Sequence, residues 1–120
     1  MKISKSIVVL DAANLDAESS FWAGLLGGTI DRDDDWHMIL VNGEERMGIQ
    51  LAPDHVRPQW PDGQPQQIHL DLYIDDLTAA HDEAVRLGAE LLKPADDPAA
   101  KVGFQVYADP AGHPFCLCWG

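Results

Sequence analysis

The stretch Asn14–Ile30, NLDAESSFWAGLLGGTI, decides the fold of this chain because Asp76–Leu91, DLTAAHDEAVRLGAEL, repeats its layout. Each copy opens with a helix-capping residue and a leucine, continues with a helical stretch, and ends with a glycine before a short segment. An apolar strand precedes each copy, 7–10 in the first and 68–74 in the second. Each unit is about half the chain and too small to hold a core alone, so we expect the two to pair and enclose a cleft.

Both copies predict the element order β-α-β-β-β. In the first copy, a strand over 6–11 precedes a helix that Asn14 caps and Gly27 ends. In the second copy, a strand over 67–74 precedes a helix that Asp76 caps. The remaining predicted strands lie near 28–32, 35–41, 46–52, 90–93, 102–108 and 114–119.

The segments between these elements define the expected domain organisation. Asn42-Gly43 predicts a tight hairpin in the first unit, and Asp109–Gly112 predicts a turn between the last two strands. Residues 53–66 carry four prolines and no periodicity, which is typical of a linker. We therefore expect a single domain, 1–120, made of a first unit 1–52, a linker 53–66 and a second unit 67–120.

Composition and charge exclude several classes of protein. The chain is 46% hydrophobic and 23% charged, as in globular domains, and its formal net charge is −12. This charge repels phosphate backbones, so nucleic acid is not an expected partner. The early apolar run 7–10 is too short to cross a membrane, so no membrane partner is expected. Cys116 and Cys118 are too close along one strand to bond to each other readily, and the expected location is cytoplasmic.

The alternation of strand residues separates a helix-facing side from a cleft-facing side. In the first strand of the second unit, the apolar residues pack under the helix, which leaves His69, Asp71 and Tyr73 facing the cleft. The same alternation puts Asp11 on the cleft side of the first unit and favours Cys116 on the cleft side of the last strand. These side chains are the candidates for binding or chemistry.

Taken together, the pattern resembles the vicinal oxygen chelate superfamily, which includes glyoxalase I, bleomycin-resistance proteins, fosfomycin-modifying enzymes and extradiol dioxygenases. The resemblance is carried by the doubled unit and by Phe21-Trp22-x-x-Leu25-Leu26-Gly27, His69-Leu70-Asp71-Leu72 and Asp109-Pro110-x-Gly112-x-Pro114-Phe115. It implies an α+β fold in which two tandem βαβββ units form a curved eight-stranded mixed sheet around a cleft, with the helices outside. Within the superfamily, the chain is most similar to small glyoxalase-like domain proteins, and the resemblance also implies a homodimer.

Metal enzymes of this superfamily hold a divalent ion with His, Glu or Gln side chains from the first and last strands of each half. The corresponding positions here are Ile7, a position near Gln50, His69 and Cys116, and only His69 is a clear ligand. Mg²⁺ and Mn²⁺ prefer oxygen ligands, and zinc sites use three or four protein ligands, so we expect no cofactor. The alternative is a divalent metal held by His69, Asp11, Gln50 and Cys116.

Three functions from different classes remain open. We favour a protein that binds an aromatic or amphipathic small molecule and has a degenerate metal site. The alternatives are a metal-dependent lyase, isomerase or dioxygenase, and a metal-free enzyme in which His69 and Asp71 are the catalytic acid and base. The candidate ligand-binding residues are Asp11, Trp36, Gln50, Trp60, His69, Tyr73 and Cys116. Structural roles compete with these functional ones, in particular a buried inert thiol for Cys116 and dimer packing for Trp36 and Trp60.

Overall fold

Capping residues determine where both helices begin and end. The computed structural model describes residues 2–66 and 68–120. The helices are α1, Leu15–Leu26, and α2, Leu77–Leu87. Asn14 and Asp76 each accept a 3.0 Å hydrogen bond at Oδ1 from the backbone N–H three residues further on. Gly27 and Gly88 end the helices with φ of 67° and 117°, a conformation that glycine adopts without a steric penalty.

The eight strands form two four-stranded mixed sheets. The strands are β1 Val8–Ala12, β2 Thr29–Arg32, β3 Trp36–Val41, β4 Glu44–Leu51, β5 Leu70–Tyr73, β6 Glu90–Lys93, β7 Gly103–Ala108 and β8 Pro114–Trp119. The sheet orders are β1-β4-β3-β2 and β5-β8-β7-β6, and the first strand of each set runs parallel to the last. The predicted α+β class with two βαβββ units is therefore confirmed.

Strand β5 is shorter than the strand that the sequence predicts. The prediction spans 67–74, and its first residue, Gln67, lies outside the described residues. Ile68 is 73% exposed and precedes the ladder, since pairing with β8 begins at Leu70. Strand β5 also lies at an edge of its sheet, so the length of its ladder depends on one neighbour alone.

The predicted turns form with the backbone conformations that their residues favour. Asn42 and Gly43 both have positive φ, 53° and 78°, which two-residue hairpins of the right twist require. In the turn between β7 and β8, the Gly112 N–H donates to the Asp109 carbonyl over 2.9 Å. The Asp109 side chain accepts a further hydrogen bond from the His113 N–H over 2.8 Å.

The chain divides into two compact units, 1–55 and 56–120, each with its own buried residues. In the first unit, α1 packs on β3 and β4 and buries Phe21 and Trp22 almost completely. In the second unit, α2 packs on β8, and Tyr107 and Phe115 are buried and stacked with ring centroids 5.6 Å apart. No helix within 2–66 and 68–120 is long and apolar enough to span a membrane.

Candidate functional site

One face of the second sheet lines a concavity of about 670 Å³, called the second-unit cavity from here on. The parallel pairing of β5 with β8 sets Asp71 opposite Cys116 and Tyr73 opposite Cys118, so these four side chains share a face. The lining residues are Trp60, Gln66, His69, Asp71, Tyr73, Val102, Gly103, Phe104, Val106, Pro114, Cys116, Cys118 and Trp119. The alternation of strand residues therefore brings together the second-unit candidates that the sequence predicts.

Aromatic side chains make up much of the cavity wall. Trp60 comes from the proline-rich segment, and together with Leu92 it packs against the buried cluster of Val106, Cys116 and Cys118. The other aromatic rings are those of Tyr73, Phe104 and Trp119. A wall of this kind suits a flat apolar ligand, because burying an aromatic group against rings combines area burial with favourable ring geometry.

His69 and Asp71 form the polar pair of the cavity. The distance from His69 Nε2 to Asp71 Oδ1 is 3.2 Å, and both side chains are about half exposed. Alternation sets the two residues on one side of the chain, so the contact follows directly from their i, i+2 spacing. The pair can accept a proton at the imidazole and can fix the orientation of that ring through the carboxylate.

The two thiols face the same carboxylate. Burial, the charge of Asp71, the neighbouring Cys118 and a hydrogen bond to Asp71 together raise the pKa of Cys116 to about 12. Burial also raises the pKa of Cys118, followed by the Asp71 charge and a hydrogen bond to Asp71. Both cysteines are free of disulfide bonds. At neutral pH these groups are thiols that donate to Asp71, and they lack the thiolate character of a nucleophile.

His69, Asp71 and Cys116 each offer one ligand atom, and these atoms lie within 4.8 Å of one another. Nitrogen, oxygen and sulfur donors in one cluster match the preferences of Zn²⁺ better than those of Mg²⁺. A bound cation would also lower the pKa of the thiol, since metal coordination deprotonates it. The cluster is a candidate metal site of the second-unit cavity.

The first-unit candidates share one face of the first sheet. Asp11 lies opposite Gln50 in the β1–β4 pairing, and Trp36 lies opposite Gln50 in the β3–β4 pairing. Asp11, Gln50 and Trp36 are therefore neighbours within their own unit. They carry one carboxylate, one amide and one indole ring.

Strand register assigns the repeat-equivalent of Cys116 to Gly48. Val9 and Asp71 each lie five residues before the helix cap of their unit, so the two positions are equivalent. Val9 pairs with Gly48, and Asp71 pairs with Cys116. Gln50 is thereby equivalent to Cys118. A Cβ at position 48 would lie 2.3 Å from Cζ2 of Trp36, so the indole ring occupies the space of a side chain there.

The metal position expected from the superfamily does not fit the first unit. Ile7 has no ligand atom, and the equivalent of Cys116 is a glycine covered by the Trp36 ring. The second unit supplies His69 and Cys116, with Asp71 as an additional acid. At these positions the first unit therefore supplies no metal ligand, and the three candidate ligands all belong to the second unit.

Sequence reasoning missed several residues that line the cavity, among them Phe104 and Gln66. Phe104 shares a face with Cys118, its partner across the β7–β8 pairing, and alternation along β7 was the available signal. Gln66 lies in the aperiodic segment before β5, where no pattern indicates side-chain direction. Among the described residues, Gln66 Oε1 is a buried acceptor without a hydrogen-bond partner.

Solved structures with this fold are numerous. The fosfomycin resistance protein FosX from Listeria monocytogenes is 16% identical, with a TM-score of 0.73 over 100% of this chain and 95% of the other. A glyoxalase-related enzyme from Fulvimarina pelagi is 21% identical, with a TM-score of 0.68 over 97% and 88%. A glyoxalase/bleomycin resistance protein/dioxygenase family enzyme from Burkholderia phytofirmans PsJN is 17% identical, with a TM-score of 0.69 over 94% and 95%. At these low sequence identities, the structural similarity establishes a shared fold and nothing more.

The family follows from the sequence match. No curated protein matches the chain at a significant level. The model of the glyoxalase-like domain family matches residues 7–118, which is nearly the whole chain and includes both repeats. Together with the two βαβββ units, this match means that the chain belongs to the glyoxalase-like domain family of the vicinal oxygen chelate superfamily.

Proposed function

We propose that this protein binds an aromatic or amphipathic small molecule in the second-unit cavity without using a metal ion. The observation that carries the proposal is the wall itself, in which four aromatic rings surround the polar pair of His69 and Asp71. A volume of about 670 Å³ lies in the range of small-molecule sites, where a few polar groups orient a ligand on an apolar wall. On the first sheet, Trp36, Asp11 and Gln50 supply a second candidate ligand-binding surface of similar chemistry.

The first-unit residues support the metal-independent form of the proposal. Ile7 and Gly48 offer no ligand atoms, and the Trp36 ring fills the space above Gly48. The thiol of Cys116, with its pKa raised to about 12, must lose a proton before it ligates a metal, and this loss opposes binding at neutral pH. In the first unit, the Trp36 ring therefore occupies the space in which a metal-ligating side chain at position 48 would lie.

Trp60→Ala should weaken the binding of an aromatic ligand about tenfold, because loss of one stacking ring costs roughly 1.4 kcal/mol of binding free energy. A screen of aromatic compounds by tryptophan fluorescence identifies a ligand, and calorimetric titration then gives the dissociation constants. Val56→Ala is the matched control, since Val56 is 80% exposed in the same segment and does not line the cavity. Equal affinities for the wild type and Trp60→Ala would contradict the proposed site, provided that both proteins unfold at the same temperature.

A metal-dependent lyase, isomerase or dioxygenase is the second candidate, and the clustering of His69, Asp71 and Cys116 within 4.8 Å favours it. If bound there, a divalent ion would supply Lewis acidity to a ligand oxygen. We expect dialysis against Zn²⁺, Ni²⁺, Mn²⁺ or Fe²⁺, followed by elemental mass spectrometry, to leave less than about 0.1 equivalent of metal, since the Cys116 thiol, with its pKa raised to about 12, would have to lose a proton to become a ligand. Stoichiometric zinc that disappears in Cys116→Ser would favour the second candidate instead.

A metal-free acid–base enzyme remains the third alternative, with His69 and Asp71 in contact at 3.2 Å. His69→Ala distinguishes this alternative from simple binding. Loss of a catalytic base should abolish turnover of a carbonyl compound while its affinity stays nearly unchanged. A binding protein has no turnover to lose.

We further propose a homodimer and a cytoplasmic location. The edge strands β1 and β5 expose apolar side chains, with Val9 41% and Tyr73 74% exposed, and a second copy could cover them. The free thiols of Cys116 and Cys118 agree with a reducing compartment. Light scattering after size-exclusion chromatography tests the dimer.

A further inference from the structure

We infer that the ligand of the second-unit cavity is an aromatic compound carrying a protonated amine, an inference that rests on the proposed function. Three independent features of the cavity carry it: its charge, its unused hydrogen-bonding groups and its ring surfaces. The charge and the rings favour a cation, and the unused acceptor favours a hydrogen-bond donor.

The acidic side chain among the described lining residues is that of Asp71. Within the described lining, Asp71 is the carboxylate, His69 is its half-exposed partner, and no lysine or arginine contributes. The net charge of −12 adds a long-range field that attracts cations and repels anions. The Asp71 carboxylate is about half exposed, so a cationic ligand that covers it would exclude part of the water around the pair.

Two basic residues of the second unit are engaged with other groups. Arg57 donates to the carbonyl of Pro110 and lies 4.0 Å from Glu90. Lys93 lies 3.6 Å from Asp96, which compensates its charge. Neither side chain lines the cavity, so neither neutralises Asp71.

The free hydrogen-bonding groups of the wall include acceptors. Gln66 Oε1 is buried without a partner among the described residues, a state that costs free energy until a donor arrives. Asp71 accepts from the thiols and still has lone pairs, since a carboxylate offers about four acceptor positions. The Trp119 Nε1–H, by contrast, already donates to the carbonyl of Ala100 over 2.9 Å. A ligand that brings an N–H donor can therefore hydrogen-bond to Gln66 Oε1 and to the remaining lone pairs of Asp71.

The aromatic rings also favour a cation. The Lys93 ammonium lies 4.8 Å from the centroid of the Phe104 ring, so the protein's own cation already engages one face of that ring. Trp60 and Tyr73 present further ring surfaces to the cavity. An ammonium group attached to a flat ring system can therefore meet the carboxylate while its ring stacks on the wall.

Three probes of nearly equal shape test the charge preference: naphthylmethylamine, naphthalenemethanol and naphthoic acid, each titrated calorimetrically at neutral pH with a chelator present. We expect the amine to bind at least about tenfold more tightly than the alcohol and the acid to bind most weakly, since a charge-assisted hydrogen bond contributes roughly 1.5–3 kcal/mol. Asp71→Asn should reduce the amine-to-alcohol preference to about twofold, because the charge that distinguishes the two ligands is then unmatched. Asp75→Asn is the matched control, because Asp75 is exposed, does not line the cavity and changes the net charge equally.

The outcomes separate the inference from the proposed function. Binding of the alcohol as tightly as the amine would overturn the amine inference and leave the aromatic binding site standing. A preference that falls equally in Asp71→Asn and Asp75→Asn would also overturn it, because the preference would then reflect net charge alone. If none of the three probes binds, the proposed function fails and the inference fails with it.

Discussion

Cys116 should react with iodoacetamide about a hundredfold more slowly than an unperturbed cysteine at pH 8. Its pKa of about 12, against 9.0 for an ordinary thiol, lowers the thiolate fraction about a thousandfold. The more basic thiolate is a better nucleophile, which restores roughly one order of magnitude. The side chain is also 9% exposed, so access adds to the delay. Tandem mass spectrometry of timed samples of the wild type, which locates the label on Cys116 or Cys118, measures the rate.

Asp71→Asn tests whether the Asp71 carboxylate slows the alkylation of Cys116. Removing the carboxylate takes away the charge and the thiol acceptor that raise the pKa of Cys116, while burial remains, so alkylation should accelerate several-fold. Asp75→Asn should leave the rate unchanged, since Asp75 is not among the groups that raise the pKa of this thiol. Alkylation of the wild type as fast as in the denatured protein would contradict the raised pKa and would revive Cys116 as a nucleophile.

The raised pKa of Cys116 should make the protein less stable at alkaline pH. The folded pKa lies above the unfolded value, so the stabilisation linked to the Cys116 proton is fully present below about pH 9. As pH rises from about 9 towards 12, the unfolded thiol ionises first and the free energy of unfolding falls. Cys116→Ser should flatten that part of the pH dependence.

Much of the fold is predictable because its signals are local. Asn14 and Asp76 specify helix starts through their own side chains, and Asn42-Gly43 specifies a hairpin through its own backbone preferences. A repeat of such signals about half a chain apart fixes the order of elements in both units. None of these inferences requires knowledge of a distant contact.

The candidate site is predictable only in part because it depends on contacts between distant segments. Alternation alone predicts that His69, Asp71 and Tyr73 share a face. The equivalence of Cys116 with Gly48, two residues before Gln50, depends on strand register, which pairing partners set and single-strand patterns do not. The unpartnered amide of Gln66 belongs to an aperiodic segment, where local sequence gives no direction to a side chain.

Trp22→Ala should lower the free energy of unfolding by about 4 kcal/mol, which is roughly a thousandfold in the folding equilibrium. The Trp22 side chain is 1% exposed, and its ring meets that of Phe21 edge-on, with centroids 5.3 Å apart. Truncation leaves a cavity beneath α1, which packs on β3 and β4. It also removes the indole N–H that donates to Glu18 Oε1 over 2.9 Å, inside the protein where Glu18 is fully buried. Urea unfolding followed by circular dichroism measures the loss.

Trp22→Phe divides this effect into its packing and hydrogen-bonding parts. Phenylalanine keeps most of the ring and lacks the donor, so its cost, about 1.5–3 kcal/mol, should reflect mainly the Glu18 carboxyl group left with one donor fewer. Adding Glu18→Gln to Trp22→Phe should recover part of that cost, because a neutral amide is less expensive to bury than a carboxylate. A loss below about 2 kcal/mol for Trp22→Ala would mean that the first unit does not depend on this ring. The Asp11, Trp36 and Gln50 surface would then rest on a scaffold held mainly by Phe21, Ile39 and Ile49, which are themselves at most 2% exposed.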